Sequence, residues 1–74
     1  MTRYAVVIER ADDGGYGAWS PDLPGVVAVG ETEADVLEEM GQAIQFHLEG
    51  LRADGQQIPH PSTVAATVLT VSAA

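Results

Sequence analysis

The sequence predicts a small α+β domain in which a mainly antiparallel sheet and one main helix form two layers. Three observations support this class. Up to Gly30, short β-branched segments alternate with Gly- and Pro-rich turns, which is typical of antiparallel strands. Residues 31–55 carry apolar side chains at helical spacings of three and four. Residues 63–71, "TVAATVLTV", return to a strand-like composition. The predicted order is therefore β-β-β-α-β within a single domain, residues 1–74.

The first three strands form a predicted meander. Tyr4–Arg10 is apolar on both faces until Glu9, which predicts a strand that is central or covered on both sides. "ADDGG" follows, and its Asp-Gly and Gly-Gly steps are typical of a tight hairpin turn. Strands are then predicted at Tyr16–Trp19 and Val26–Val29.

The hexapeptide "SPDLPG", residues 20–25, separates the second and third predicted strands. Pro21 and Pro24 fix φ and remove two backbone donors, and Gly25 can adopt backbone angles closed to other residues. Asp22 can accept hydrogen bonds from nearby backbone amides, as in an Asx turn. These properties predict a rigid corner, which we favour over a loop that presents Asp22 to a substrate. The same corner offers an acidic rim to a basic partner.

The helix has predicted signals at both ends and one apolar stripe. Thr32 is a suitable N-cap with Asp35 three residues later, a variant of the capping box, and Gly55 is a suitable stop. The predicted stripe contains Leu37, Met40, Ile44, Leu48 and Leu51. Phe46 projects roughly 160° away from Ile44 at 100° per residue. It lies on a flank with Glu39, Ala43 and Gly50, where small residues would let another surface approach.

The composition limits the partners. Eleven acidic residues, three arginines and no lysine give a net charge of −8. Nucleic acid binding requires a basic face, so we expect no direct nucleic acid contact. The acidity suits a basic protein partner, or it serves only solubility. The chain has no cysteine, which excludes disulfides and thiolate-bound zinc. A domain this small gains buried area by self-association, so we expect a homodimer or a higher homo-oligomer.

The sequence gives no indication of catalysis or of a membrane location. The N-terminal apolar run is too short for a signal peptide or a membrane span, so we expect a cytoplasmic protein. His47 and His60 lack metal-ligand spacing, and no serine lies in a nucleophile-elbow motif. We therefore predict no catalytic residue, no metal, no cofactor and no enzymatic activity.

The combined motifs resemble the N-terminal domain of the HicB antitoxins. The match rests on "YAVVIE", on "YGAWSPDLPGVVAVGET", on the helix, and on "GQQIPHPS" before the last strand. The resemblance implies a partial RNase-H-like fold, self-association, and binding to HicA, a small basic ribonuclease. Many HicB proteins add a C-terminal helix-turn-helix or ribbon-helix-helix segment that binds operator DNA. The sequence stops at Ala74, so we expect neither that domain nor operator binding by this chain.

The leading hypothesis is a toxin–antitoxin function in which the chain binds and occludes a HicA-like mRNA interferase. The predicted partner-binding residues are Trp19, Asp22, Glu38, Glu39 and Phe46. A second hypothesis is an orphan oligomeric domain that binds another protein, or a small ligand between subunits. A third is a degenerate hydrolase, which would show metal-dependent RNA cleavage that is lost when Asp22 is replaced.

Overall fold

A computed structural model describes residues 1–73 as a three-stranded antiparallel sheet followed by one long helix. The strands are β1 (Val7–Arg10), β2 (Tyr16–Trp19) and β3 (Val27–Gly30), and the helix is α1 (Glu33–Ala53). Strand β2 lies in the centre of the sheet, between β1 and β3. This confirms the α+β class and the order of the first four predicted elements.

The hexapeptide "SPDLPG" forms the rigid corner that its composition predicts. The amide of Leu23 donates to the carbonyl of Ser20 at 3.3 Å, and the amide of Val26 donates to the carbonyl of Leu23 at 3.2 Å. The second of these turns has Pro24 followed by Gly25 at φ +85°, the residue pattern of a type II turn. The corner also contributes to the core, because the side chain of Leu23 is buried.

Helix α1 begins and ends at the predicted signals. The Thr32 hydroxyl accepts a hydrogen bond from the Asp35 amide at 3.0 Å, which satisfies one free amide of the first turn. At the other end Gly55 adopts φ +70°, and the next amide, that of Gln56, donates to the carbonyl of Leu51 at 2.8 Å. This is a glycine-terminated helix end of the kind that satisfies the last carbonyl groups.

The core lies between α1 and the strands β2 and β3, against which the helix packs. Its buried apolar residues are Ala18, Leu23, Val26, Val36, Met40 and Leu48. The predicted helix stripe is corrected at its start, because Val36 is fully buried while Leu37 is half-exposed. The end of β3 approaches α1 so closely that a Cβ on Gly30 would lie 2.7 Å from the Val36 nitrogen. Val36 is therefore the helix residue that lies against the end of β3.

The first strand is shorter than predicted and lies at an edge of the sheet. Pairing begins with Val7 opposite Trp19, so β1 does not include Tyr4–Val6. Continued pairing would place those residues opposite Ser20, Pro21 and Asp22, where the chain turns and proline offers no amide donor. Of the two predicted positions, central or covered on both sides, the central one is therefore wrong for the single chain, because one edge of β1 is free within residues 1–73.

The fourth predicted strand is not formed in residues 1–73. The segment Thr63–Ala73, which we call the C-terminal arm, has neither helix nor strand structure. Val64 and Val68 are 96% and 93% exposed, and the molecule measures 50 × 26 × 19 Å. The β-rich composition of the arm is real, but strand structure requires a neighbouring strand, and the single chain gives the arm none.

Candidate protein-interaction surface

The face of the sheet opposite the helix is uncovered and apolar. Side chains alternate along β2, so the buried Ala18 faces α1 and Trp19, 39% exposed, faces away from it. Trp19 lies between Val7 of β1 and Val27 of β3 in the strand register. Its indole Nε1 donates to Glu9 Oε1 at 2.6 Å, which orients the ring on this face.

Strand β3 extends this face. Val27 and Val29 alternate with Ala28, and both are largely exposed although valine is usually buried. Residue types could not reveal this, because "VVAV" is apolar at every position and gives no sign of which side chains point outward. The uncovered valines therefore add to the predicted site two residues that the sequence did not single out.

Phe46 continues the apolar surface around the β3 edge. The phenyl ring is 79% exposed, and it lines a shallow groove with Ala43, Gly50 and Val27. Val27 is thus the residue that connects Trp19 on the sheet with Phe46 on the helix. We call the four residues Trp19, Val27, Val29 and Phe46 the apolar strip. The structure confirms that Phe46 lies apart from the core stripe, beside Ala43 and Gly50.

The two predicted helix carboxylates lie on different faces of α1. Glu39 is seven residues before Phe46, and two helical turns place both side chains on the same face. Glu38 lies about 100° from Glu39 around the helix axis, outside that face. Both residues are exposed. Asp54 therefore lines the groove, Glu39 lies on the helix face of Phe46 two turns away, and Glu38 lies outside that face.

Asp22 is bound to the segment that precedes the C-terminal arm. Its Oδ1 accepts hydrogen bonds from the Ser62 amide at 3.2 Å and from the Ser62 hydroxyl at 3.1 Å. Its Oδ2 accepts from the Thr63 amide at 3.1 Å. The Thr63 amide, with further hydrogen bonds from Ser62, lowers the pKa of Asp22 below its ordinary value, against a smaller opposing effect of burial.

These bonds differ from the expected Asx turn, because the donors lie in a distant segment rather than in "SPDLPG" itself. A second contact holds the same segment, since the Tyr4 hydroxyl donates to the carbonyl of Pro59 at 2.6 Å. Sequence reasoning singled out "SPDLPG" and "IPHPS" separately, but nothing in either motif indicates that they touch. Tyr4 and Asp22 together fix the point at which the C-terminal arm leaves the domain.

Two further observations concern metals and membranes. Within residues 1–73, no group of three or more His, Asp or Glu side chains could hold a metal ion. His47 lines the groove beside Phe46, and His60 lies near the start of the C-terminal arm. In the same described range, no helix is both long enough and apolar enough to cross a membrane.

Comparison with known proteins extends these observations. A family model described as "HicB_like antitoxin of bacterial toxin-antitoxin system" matches residues 4–72. A 14.9 kDa protein of Haemophilus phage HP1 is 33% identical over 61 residues, 82% of this chain and 45% of the phage protein. A UPF0150 protein of Thermoplasma acidophilum is 32% identical over 66 residues, 89% of this chain and 96% of that protein. The chain therefore spans less than half of the phage relative.

The solved N-terminal domain of the Burkholderia pseudomallei antitoxin HicB has the same fold. It superposes with a TM-score of 0.68 at 31% identity, covering 84% of this chain and 69% of the solved domain. The fold is that of a small α+β domain similar to the N-terminal domain of an antitoxin HicB. The chain belongs to the HicB-like antitoxin family of bacterial toxin–antitoxin systems, whose members are generally not enzymes.

Proposed function

We propose that this chain is the antitoxin of a toxin–antitoxin pair and that it binds and occludes a basic, HicA-like mRNA interferase. The observation that carries the proposal is the family match over residues 4–72. The similarity to a solved domain of an antitoxin HicB supports it further.

The apolar strip is the surface that we assign to the toxin. Trp19 and Phe46 are large aromatic side chains, the type that most often carries binding energy at protein interfaces. Val27 and Val29 add apolar area between them. Burial of these side chains against a partner removes exposed apolar surface from water, which favours association.

The carboxylates around the strip provide the electrostatic part of the mechanism. An enzyme that cleaves RNA needs a basic face, and a net charge of −8 attracts such a face. Asp54 lines the groove beside Phe46 and Glu39 lies on the same helix face, so both are placed to meet lysine or arginine side chains of a partner. The same charge opposes direct binding of RNA or DNA by this chain.

Co-expression with a small basic HicA-like protein, sought in the gene beside this one, tests the proposal. We expect co-purification, relief of growth arrest and inhibition of RNA cleavage in vitro. Phe46→Ala should weaken the complex at least tenfold, as expected for an aromatic anchor. Growth arrest that persists together with a failure to co-purify would refute the antitoxin function.

Two helix variants provide a matched test of the binding surface. Glu39→Lys and Glu38→Lys make the same charge change at neighbouring exposed positions. Because only Glu39 shares the face of Phe46, Glu39→Lys should weaken the complex more than Glu38→Lys. Equal losses would mean that overall charge, rather than this groove, governs binding.

A second candidate function is an orphan domain that binds another protein, or a small ligand, without a toxin partner. It is favoured by the similarity to a UPF0150 protein of nearly the same extent, whose name mentions no toxin. It predicts no small basic toxin gene beside this one. We also propose self-association of the chain, for which the structure suggests a specific mode.

A further inference from the structure

The C-terminal arm has the composition of a strand without the pairing of one. Residues 64–71 are dominated by valine, threonine, alanine and leucine, and Thr63–Ala73 contains no charged residue. Val64, Val68, Leu69 and Val71 are all largely exposed. An apolar segment with unpaired backbone groups is stable in water only when another strand covers it.

A free sheet edge of matching length is present in the same fold. Among residues 1–73, strand β1 pairs only with β2, so its second edge is open. The preceding residues Tyr4–Val6 are half-buried and unpaired, and with β1 they form the seven-residue segment Tyr4–Arg10. Residues 64–71 of the arm could pair along the whole of this segment.

The direction of the arm is fixed where it leaves the domain. Asp22 bonds to Ser62 and Thr63, and Tyr4 bonds to Pro59, so the arm starts on the β1 side of the sheet. Residues 60–66 line a groove with residues 1–6, but their backbones form no ladder there. The arm then extends away from its own domain.

We propose that the C-terminal arm pairs with the free edge of β1 in a second copy of this chain, and that two copies exchange arms reciprocally. The inference rests on the proposed self-association and is independent of toxin binding. Each arm would add a fourth strand beside β1 of the partner copy and extend its sheet to four strands.

A twofold axis favours the β1 edge over the β3 edge. In a symmetric dimer both copies use the same surface. The arm therefore has the shortest distance to span when the arm and the accepting strand edge lie on the same side of the domain. The arm leaves from the β1 side, whereas β3 lies two strands away across the sheet. The uncharged arm also adds no repulsion between two copies that each carry a net charge of −8.

Pairing with a second copy would explain why two segments that the sequence predicts as strands are unpaired in the single chain. Tyr4–Val6 was predicted as strand and lacks pairing, and Thr63–Val71 was predicted as strand and lacks pairing. The apolar composition of Tyr4–Arg10 also predicts a strand that is central or covered on both sides, and β1 becomes central once an arm lies beside it.

Sedimentation equilibrium of the purified chain without any toxin tests the proposal. We expect a species of twice the 7.7 kDa chain mass. The double variant Val68→Lys, Leu69→Lys should sediment as a monomer with an intact fold, because these side chains are exposed in the single chain. Phe46→Lys is the control for the opposite side of the sheet, and it should remain a dimer.

An isotope-filtered NOE experiment on a mixture of labelled and unlabelled chains then locates the arm. We expect intermolecular contacts between residues 64–71 and Tyr4–Arg10. The proposal is overturned by a monomeric chain of unaltered sequence, by a dimer that dissociates with Phe46→Lys but not with the arm variant, or by arm contacts to β3. Toxin binding by a monomeric chain would overturn the arm exchange alone, so the two proposals fail separately.

Discussion

The carboxylate of Asp22 holds Ser62 by two hydrogen bonds, although 40 residues separate them in the chain. Asp22 lies in the corner between β2 and β3, and Ser62 directly precedes the C-terminal arm. This carboxylate therefore joins the segment that follows the helix to the corner of the sheet. Asp22 has a structural role that neither catalysis nor a local turn would require.

Replacement of Asp22 by asparagine should loosen the start of the arm. The amide replaces one of the two accepting oxygens by a donor NH2 group, so the bonds to Oδ1 or the bond to Oδ2 are lost. We expect faster hydrogen exchange at the amides of residues 62 and 63. Asp12→Asn, which removes the same charge from an exposed turn, is the control and should leave both amides unchanged.

The contribution of Asp22 to stability should depend on pH at the acid end. The Thr63 amide, followed by the Ser62 bonds, lowers the pKa of Asp22 in the folded chain, so the folded state binds this proton less readily than the unfolded state. Its stabilisation is therefore complete above about pH 4, the ordinary range of aspartate, and is lost as pH falls through the lowered value. Urea unfolding of the wild type and Asp22→Asn should converge on acidification. A constant difference between them down to low pH would contradict this.

Replacement by alanine should have opposite effects on stability at two glycines, Gly30 and Gly41. A Cβ on Gly30 would lie 2.7 Å from the Val36 nitrogen, a backbone atom that cannot move freely. Gly30→Ala should therefore destabilise the fold by about 1–3 kcal/mol. A Cβ on Gly41, within α1, meets nothing within 4 Å, so Gly41→Ala should stabilise by roughly 0.5–1 kcal/mol. Denaturant unfolding at one fixed protein concentration measures both.

The helix core offers a second pair of substitutions. Met40 is fully buried, and Met40→Ala should cost about 2–5 kcal/mol because a cavity forms against β2 and β3. Leu37 was predicted in the same stripe but is half-exposed, so Leu37→Ala should cost less than about 1 kcal/mol. Similar losses of unfolding free energy for the two variants would mean that Leu37 belongs to the buried stripe after all.

The predictable part of this fold is local. Thr32 and Gly55 mark the helix ends by short-range hydrogen bonds, and Pro24-Gly25 defines a turn through its own backbone preferences. Each of these signals lies within a few residues of the structure that it specifies. The same is true of the hairpin between β1 and β2.

The parts that sequence reasoning missed depend on distant partners. Val36 rather than Leu37 enters the core because the helix start lies against Gly30, a contact that helical periodicity does not contain. The role of Asp22 depends on residues in another motif. Strand formation by residues 63–71 depends on a neighbour that one chain does not provide. The outward position of Val27 is equally hidden, because strand patterning does not show which face the helix covers.

Trp19 is the single tryptophan of this chain, and it makes the sheet face observable by fluorescence. Its indole lies on the uncovered face and is hydrogen-bonded to Glu9, so its emission reports on that face alone. A partner that covers the apolar strip will shift the emission to shorter wavelength. Exchange of arms at the edge of β1 should shift it less, because β1 lies between the added strand and the indole. The unmodified protein therefore carries its own spectroscopic means of telling the two kinds of association apart.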